Sequence, residues 1–441
     1  MAIKIGMVSL GCSKNQVDAE IMLSLLCQGG YELCADPSQC QVVIVNTCGF
    51  IEDAKRESIE TILEFCQMKE QGLLKAVVVT GCLAERYREE MAVQIPEVDV
   101  ILGIGKNSEI VAAVRRALEG ERVVDSGPKG DLPLEGERVL TTPGYFAYLK
   151  IAEGCDNCCT YCAIPLIRGR FRSRPMETIV EEARRLIAGG VQEINLIAQD
   201  TSRYGEDLYG TYSLAELLTR LCRLEGLRWL RVLYCYPDHL TDQLLEVMAR
   251  EEKIVKYIDI PLQHCSGPVL KAMNRTGDRE SLLRLMAHVR EKIPGVTLRT
   301  TLIAGFPGET EEDFEELCRF VKEARFERLG CFAYSQEEGT PAALLPGQLD
   351  EEEKRRRAEI VMNEQMPIAF QVSASQVGKT LPVLVEGMDE ETGLYCGRSP
   401  MDAPDIDTRV LFTSGRPCRE GEFVQVEITG TEGYDLTGRA C

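Results

Sequence analysis

The sequence lacks any long hydrophobic run, and none of its apolar stretches approaches the ~20 residues of a membrane-spanning helix. It also lacks a recognisable secretory signal, because Lys4 interrupts a short apolar start and no long hydrophobic segment follows. Basic residues are in deficit, with 50 Lys and Arg against 70 Asp and Glu and a formal net charge of −20. Such a chain is poorly suited to long-range attraction to a phosphate backbone and favours a basic partner. We therefore expect a cytoplasmic protein without membrane contact.

Length and composition predict a multidomain globular protein. The 441 residues exceed what one ordinary hydrophobic core accommodates, which predicts two or three domains. A hydrophobic content of 44% is typical of a soluble globular protein. The 19 cysteines, in a chain without an evident export signal, indicate a reducing compartment where thiols bind metals or lie buried.

The most informative segment is a loop with three cysteines at a distinctive spacing. Cys155, Cys159 and Cys162 are separated by three and two residues and follow a strand-like run. Cubane iron–sulfur clusters that only carry electrons take four thiolates, so a loop that offers three leaves one iron free for a substrate or cofactor. With Tyr161 before the last cysteine, the loop resembles the signature of the radical S-adenosylmethionine (SAM) superfamily. In that superfamily the open iron binds SAM, which one electron splits into methionine and a 5′-deoxyadenosyl radical.

Two other kinds of site share part of this pattern. With Cys158 included, the loop contains two abutting Cys-x-x-Cys pairs, which resemble the halves of a zinc site. Zinc motifs usually separate their pairs by about a dozen or more residues, so that two turns can face each other. A disulfide knot would require an oxidising compartment. We therefore favour a cluster held by Cys155, Cys159 and Cys162, with Cys158 as a bystander.

A second set of cysteines is spread over residues 1–125, where strand-like and helical runs alternate. This alternation predicts a parallel sheet with crossover helices. Three predicted strands run into Cys12, Cys48 and Cys82, each beside a glycine, and their carboxyl ends share the edge where open α/β sheets bind ligands. A single cysteine of this kind is more often a small buried hydrophobe, but three at equivalent positions predict a second three-cysteine cluster. The strands cover residues 3–10, 42–45 and 76–79.

The middle of the chain has the pattern of a partial barrel. Residues 126–140, rich in glycine, proline and charge, are predicted to form a linker to a domain at 141–372. Six strand candidates alternate there with helices, which suits an open, partial TIM-like barrel with its chemistry at the carboxyl ends of the strands. The loop that begins at Cys155 follows the first of these strands, as that rule requires. The strands cover residues 148–152, 193–198, 229–236, 257–262, 297–304 and 328–334.

The C-terminal segment 373–441 changes to short β runs with glycine turns, which predicts a small all-β barrel. It carries six Lys and Arg against twelve Asp and Glu, a net of −6, whereas a tRNA-binding barrel is expected to be basic. An acidic barrel is expected to attract a basic protein. Upstream, residues 350–357 place acids before bases, which we interpret as the solvated start of a helix and not as a nucleic-acid patch. The predicted β runs are 382–386, 394–397, 409–412 and 423–429.

From end to end, the chain resembles the methylthiotransferases of the radical SAM superfamily. The resemblance implies a methylthiotransferase domain at 1–125, a radical SAM core at 141–372 and a TRAM domain at 373–441. One branch of that family modifies an aspartate of small-subunit ribosomal protein S-twelve, and another modifies an adenosine in tRNA. The stretch 397–407 is the most specific to the first branch, whereas Cys158 stands where a non-thiol, commonly basic residue is expected. Besides the core cysteines, the stretches that carry the resemblance are 9–15 (Ser-Leu-Gly-Cys-Ser-Lys-Asn), 46–51 (Asn-Thr-Cys-Gly-Phe-Ile), 199–205 (Gln-Asp-Thr-Ser-Arg-Tyr-Gly) and 397–407 (Gly-Arg-Ser-Pro-Met-Asp-Ala-Pro-Asp-Ile-Asp).

The resemblance also implies cofactors and site residues. The enzyme would insert a methylthio group at the β-carbon of the aspartate, using two 4Fe-4S clusters and SAM. Cys12, Cys48 and Cys82 would hold one cluster, and the core cysteines would hold the cluster that cleaves SAM. The residues expected to contact SAM are Tyr161, Arg299, Gly305, Gly308 and Glu309.

The expected partners are a basic small-subunit ribosomal protein or the ribosome, an electron donor and a sulfur donor, and not free tRNA. Two alternatives stay open. The chain could be the tRNA adenosine methylthiotransferase of the other branch. It could also be a non-enzymatic iron–sulfur protein that transfers electrons or serves as a scaffold, although such a protein needs no open iron.

Overall fold

The computed structural model describes residues 3–441, which form two large parallel sheets with their helices and a C-terminal β-barrel. Within this range, no helix is both long enough and apolar enough to cross a membrane. The combination of parallel α/β sheets with a small β-barrel, predicted from the alternation of runs, is confirmed.

The N-terminal region alternates strands and helices in the predicted way. Its elements are β1 (Lys4–Ser9), α1 (Ser13–Gln28), β2 (Glu32–Leu33), β3 (Val42–Thr47), α2 (Glu52–Glu70), β4 (Ala76–Gly81), α3 (Cys82–Gln94), β5 (Val100–Leu102), α4 (Ile110–Leu118) and β6 (Val123–Asp125). The strands pair in parallel in the order β2-β1-β3-β4-β5-β6. β3 and β4 are buried along their whole length because α2 and α3 cover one face of the sheet and α1 and α4 the other.

The middle region forms the second sheet. Its elements are β7 (Phe146–Lys150), β8 (Ala152–Glu153), α5 (Ile164–Arg168), β9 (Arg172–Ser173), α6 (Met176–Ala188), β10 (Glu193–Ile197), α7 (Glu206–Tyr209), α8 (Leu214–Cys222), β11 (Trp229–Val232), α9 (Asp242–Arg250), β12 (Ile254–Asp259), α10 (Gly267–Ala272), α11 (Arg279–Lys292), β13 (Thr297–Ala304), α12 (Glu311–Ala324) and β14 (Arg328–Ala333). Six parallel strands follow one another as β7-β10-β11-β12-β13-β14 without closing, so the predicted open (βα)6 barrel is confirmed. Helices pack on one face, and the other face lines the lumen.

The C-terminal region begins with a long helix and ends in a closed barrel. Its elements are α13 (Glu351–Ala374), β15 (Thr380–Met388), β16 (Tyr395–Arg398), β17 (Val410–Thr413), β18 (Phe423–Glu432) and β19 (Asp435–Ala440). Four of these strands were predicted, and β19, which closes the barrel by pairing in parallel with β17, was missed. Asp350 caps α13 as the acid-then-base order predicts, but Arg357 is buried against Glu309 at 2.8 Å. The prediction of a wholly solvated helix start is therefore wrong.

A buried ionic network joins α1 to the core. Lys150 contacts Asp18 and lies 2.9 Å from Glu153. Arg168 lies 2.5 Å from Asp18 and 3.2 Å from Glu153, and these four side chains are at most 1% exposed. Buried charges are tolerated when they are paired and hydrogen-bonded. The network therefore fixes the N-terminal sheet against the mouth of the open barrel.

A second network joins the core to the C-terminal barrel and corrects the picture of an acidic barrel surface. Arg328 lies 2.6 Å from Asp402, and Tyr257 Oη donates to Asp407 at 2.6 Å. Both carboxylates are at most 3% exposed and belong to the stretch 397–407. They are counted among the acids of 373–441 but contribute nothing to a free surface. The acidic surface is therefore smaller than composition implies.

Candidate metal centres

The N-terminal cysteines lie together at the carboxyl edge of the first sheet. Cys12 precedes α1, Cys48 follows β3, and Cys82 is the first residue of α3. Gly11 has a φ of +89°, and a Cβ at this position would lie 2.9 Å from Cys48 Sγ. A Cβ on Gly49 would lie 3.0 Å from the carbonyl carbon of Cys82. Glycine thus lets the three loops approach each other, which explains why a glycine stands beside each cysteine.

The three thiols differ in exposure but affect one another. Cys12 is exposed, Cys48 is half-buried and Cys82 is buried. Burial, followed by the neighbouring Cys82 thiol, raises the pKa of Cys48 to about 12. A bound metal would reverse this tendency, because a coordinating thiol loses its proton. A surface cavity of about 290 Å³ opens beside Cys12, so this set of thiols is reachable from solvent on one side.

The core cysteine loop is fixed at both ends by backbone contacts. Gly154 has a φ of +75°, and a Cβ there would lie 2.1 Å from a backbone oxygen, so this entry into the loop requires glycine. Cys155 N–H donates to Gly169 O at 3.1 Å, and Thr160 N–H donates to Met273 O at 3.0 Å. The loop is therefore tied to the segments that follow α5 and α10.

Asp200 anchors the middle of the same loop. It is 1% exposed and accepts a hydrogen bond from Asn157 Nδ2 at 3.0 Å. It also accepts from Ser202 Oγ at 2.7 Å and lies 2.8 Å from His239 Nδ1. Asp200 and Ser202 belong to the stretch 199–205, so part of this stretch positions the cysteine loop.

The four core thiols separate into three that are half-buried and one that is exposed. Cys158 is exposed, and its φ of +50° lies in the left-handed region, where the chain reverses. Cys162 N–H donates to Cys159 O at 3.0 Å and closes a tight turn. Burial, together with the nearby Cys159 and Cys155 thiols, raises the pKa of Cys162 to about 12. The structure thus brings Cys155, Cys159 and Cys162 together, whereas Cys158 lies on the outer side.

The two cysteine sets adjoin each other directly. Cys82 packs against Ala163 and Ile167, which follow Cys162 in the chain. Arg168 Nη2 donates to Cys82 Sγ at 3.2 Å across 86 positions of sequence. Arg168 could not be identified from the sequence, because nothing in the local sequence marks a contact between two domains.

The residues predicted to contact SAM have different surroundings. Tyr161 is half-buried and packs against the apolar cluster that contains Phe306, and its Oη lies 3.5 Å from Arg275 Nη1. Arg299 donates to Asp259 at 2.9 Å and lies 3.7 Å from Asp407, so its guanidinium is already paired. Contacts of Tyr161 and Arg299 with SAM stay predictions.

The predicted Gly305–Glu309 turn folds back on itself. Glu309 Oε2 accepts the backbone N–H groups of Gly305 and Phe306 at 2.9 and 3.3 Å, and Glu309 Oε1 pairs with Arg357. Gly308 has a φ of +81°, which favours glycine, and a Cβ added there would meet no atom within 4 Å. The glutamate thus holds the turn, and SAM contacts of these three predicted residues also stay predictions.

Within residues 3–441, no three His, Cys, Asp or Glu side chains converge as the ligands of one metal ion. A cubane cluster does not require the thiols to converge on one point, because each thiolate binds a different iron and the cysteine sulfur atoms therefore stand apart.

The fold and the matches to family models define the class of protein. Residues 4–103 match the uncharacterized protein family UPF0004, residues 149–321 match the radical SAM superfamily, and residues 377–441 match the TRAM domain. The chain shares its fold with the radical SAM methyltransferase TsrM from Kitasatospora setae, with a TM-score of 0.57 and 16% identity over 78% of this chain and 77% of that one. The protein is therefore a radical SAM enzyme with an additional domain on each side of its core.

Full-length relatives identify the family within this class. The chain is 52% identical to the ribosomal protein uS12 methylthiotransferase RimO of Pelotomaculum thermopropionicum, over 99% of both chains. It is 51% identical to RimO of Desulforamulus reducens, over 98% of both chains. The chain belongs to the RimO family.

Proposed function

We propose that this protein attaches a methylthio group to the β-carbon of an aspartate in ribosomal protein uS12. The observation that carries the proposal is the contact between the two cysteine sets, in which Cys82 packs against Ala163, the residue after Cys162. A sulfur source held by one set and a radical generated at the other would thus be adjacent. Carbon–sulfur bond formation needs both on the same substrate carbon, and holding reactants in line lowers the barrier.

Each cysteine set fits an iron–sulfur cluster by the chemistry of its donors. Cys12, Cys48 and Cys82 would hold one 4Fe-4S cluster, and the core set would hold the other. Three thiolates per cluster leave one iron without a protein ligand. When bound at the core set, a cluster and SAM supply a carbon radical able to remove a hydrogen atom from an unactivated carbon. The residues around both sets fix the loops that carry the cysteines.

The lumen of the core offers polar atoms that a bound ligand would satisfy. Asn195 lies on β10 with neighbours Ile194 and Leu196 packed on the helix side, so its own side chain faces the lumen. Both amide atoms of Asn195 are buried without a hydrogen-bond partner, as is Gln199 Oε1. Buried polar groups are normally hydrogen-bonded. These atoms support the binding of SAM or a polar substrate group at this position.

Charge supports a protein substrate over RNA. The whole chain carries a net charge of −20, which repels a phosphate backbone and attracts basic proteins. The relatives that cover the full chain are named for uS12. The reaction also needs an electron and a sulfur atom, which we assign to separate donor partners.

The test is mass spectrometry of two substrates offered in parallel. Reconstituted protein with SAM, a reductant and a sulfur source should add one CH₂S unit to uS12 and none to tRNA. A gain on tRNA alone would replace the proposed substrate with the adenosine. A protein that forms no 5′-deoxyadenosine from SAM under reducing conditions would be an electron carrier or a scaffold instead.

A further inference from the structure

Lys14 stands apart from the other buried cations. Ten lysine and arginine residues are buried among residues 3–441, and eight of them pair with a carboxylate within 4.0 Å. A ninth, Arg275, donates to Pro261 O at 2.6 Å. Lys14 is 7% exposed and has neither a carboxylate nor a hydrogen-bond acceptor in the described chain. Its nearest partner is the ring of Tyr234, whose centroid lies 3.1 Å from Nζ.

The position of Lys14 relates it to both cysteine sets. It is the second residue after Cys12, in the first turn of α1. Tyr234 follows β11, at the carboxyl edge of the core where the cysteine loop also lies. Tyr234 is held there, because its N–H donates to Asp259 Oδ2 at 3.0 Å and its carbonyl accepts from Thr201 N–H at 3.0 Å. The ammonium therefore lies between the N-terminal cysteine turn and the mouth of the core.

A largely buried ammonium next to an aromatic ring, without a carboxylate partner, is a favourable binding site for an anion. It carries three N–H donors, and the face of one aromatic ring attracts the charge without accepting all of them. Nζ is not among the fully buried polar atoms of the described residues, so a ligand can reach it, and a largely buried charge without a paired acceptor is unfavourable. The other buried cations of this chain obey that rule, so the exception points to a ligand that the protein chain itself does not supply.

We propose that Lys14 binds the side-chain carboxylate of the substrate aspartate and so selects an acidic side chain. The inference rests on the proposed function. In aspartate the carboxylate carbon is bonded to the β-carbon, so a cation that holds the carboxylate fixes the reacting carbon within one bond. Held between the Cys12 turn and the core mouth, that carbon faces the sulfur source on one side and the site of radical formation on the other.

The test is a double-mutant cycle of enzyme and substrate. Fluorescently labelled uS12 and the same protein with its target aspartate changed to asparagine are titrated against the reconstituted enzyme, and binding is read by anisotropy. The wild-type enzyme should bind the aspartate form roughly 10- to 100-fold more tightly, the range for a hydrogen bond to a charged group. Lys14→Met and Lys14→Gln should bind both forms about equally, and Lys14→Arg should keep the preference.

Lys69→Met is the matched control, because it removes an ammonium from the same domain. Lys69 pairs with Asp99, just before β5, at the opposite edge of the sheet. The Lys69→Met enzyme should keep the full preference for the aspartate form of uS12. Iron content and the melting temperature report whether each Lys14 variant retains its clusters and fold.

Two outcomes would overturn the assignment. An undiminished preference for aspartate in a folded, iron-loaded Lys14→Met protein would show that another group reads the carboxylate. A loss of SAM cleavage without substrate, with both forms of uS12 affected alike, would place Lys14 on the cofactor. If wild-type enzyme leaves uS12 unmodified, the proposed function fails first, and this is seen without any variant.

Discussion

The two cysteine sets offer three thiols each, but the chain builds them differently. The core set lies within the short segment Cys155–Cys162, and its loop is tied by backbone hydrogen bonds at each end. The N-terminal set comes from the ends of separate strands and adjoins only because a parallel sheet aligns those ends. The first site is specified by spacing along the chain, and the second by the topology of the sheet. The second should therefore depend more on glycines and on long-range contacts.

Removing one set of thiols at a time should produce the largest effect. Converting Cys155, Cys159 and Cys162 to Ala should abolish 5′-deoxyadenosine formation and leave about half of the iron. Converting Cys12, Cys48 and Cys82 to Ala should also leave about half, but SAM cleavage should persist while methylthio transfer to uS12 stops. Iron analysis and chromatography of the SAM products separate the two results.

The conclusion that the two cysteine sets are separate sites would be wrong if either triple variant lost all of its iron while its circular dichroism spectrum showed that it was still folded. The two sets would then form a single metal site. The same conclusion would be wrong if the N-terminal triple variant lost SAM cleavage, because formation of the radical would then need both cysteine sets.

The same contrast explains what the sequence could predict. All six core strands and their open arrangement follow from alternating runs, and Cys155 is identifiable from its neighbours alone. Convergence of Cys12, Cys48 and Cys82 required one further step, the rule that parallel strands share a carboxyl edge. Both inferences use information within one element or one sheet.

Contacts between domains could not be predicted from such local information. Arg168 and Lys14 occur in ordinary local sequence, and only the docking of α1 on the core makes one a partner of Cys82 and leaves the other unpaired. Asp402 was counted among the surface acids because composition contains no information about which residues are buried. Arg299 was predicted to contact SAM from the family resemblance, and nothing in the sequence indicated its pairing with Asp259. Its contact with SAM stays a prediction.

Removing the arginine that joins the two sites should have the next largest effect. Arg168→Gln leaves Asp18 and Glu153 with Lys150 as their only buried cation, so we expect a loss of about 3–5 kcal/mol in the free energy of unfolding. It also removes the N–H donor to Cys82 Sγ, and hydrogen bonds to sulfur help set cluster potentials. The reduction potential of the N-terminal cluster should therefore fall, as read by EPR-monitored titration of a protein without the core cysteines.

Arg398→Gln is the control for Arg168→Gln. Arg398 is equally buried, and it pairs with Glu193 at 2.7 Å in the joint between core and barrel. It should destabilise the protein without changing the cluster potential. Equal shifts of potential in the two variants would contradict a direct effect on the cluster.

A smaller effect is expected from one methyl group at the N-terminal site. Gly11→Ala forces a side chain into a left-handed conformation, which costs about 1–3 kcal/mol. It also places a Cβ 2.8 Å from Cys48 Cβ, so the loops must separate and the iron of this set should be lost. Gly72→Ala has the same backbone strain, with φ +75° and open space around it, and should keep all of its iron. Retention of iron in Gly11→Ala would mean that close approach of these loops is not required.

The smallest effect should come from the thiol that belongs to neither set. Cys158 is exposed, and the hydrogen bond from Asn274 goes to its backbone oxygen, so Cys158→Ser changes no contact that holds the loop. It should retain iron and SAM cleavage, whereas Cys159→Ser should lose the core cluster and the cleavage with it. Cys158→Gly should even stabilise the protein by less than about 1 kcal/mol, because its φ of +50° suits glycine better than a residue with a Cβ. If Cys158→Ser lost the cluster while Cys159→Ser kept it, the spacing would not distinguish the ligands from the bystander. The core site could then not be predicted from its local sequence, in contrast to the conclusion drawn above.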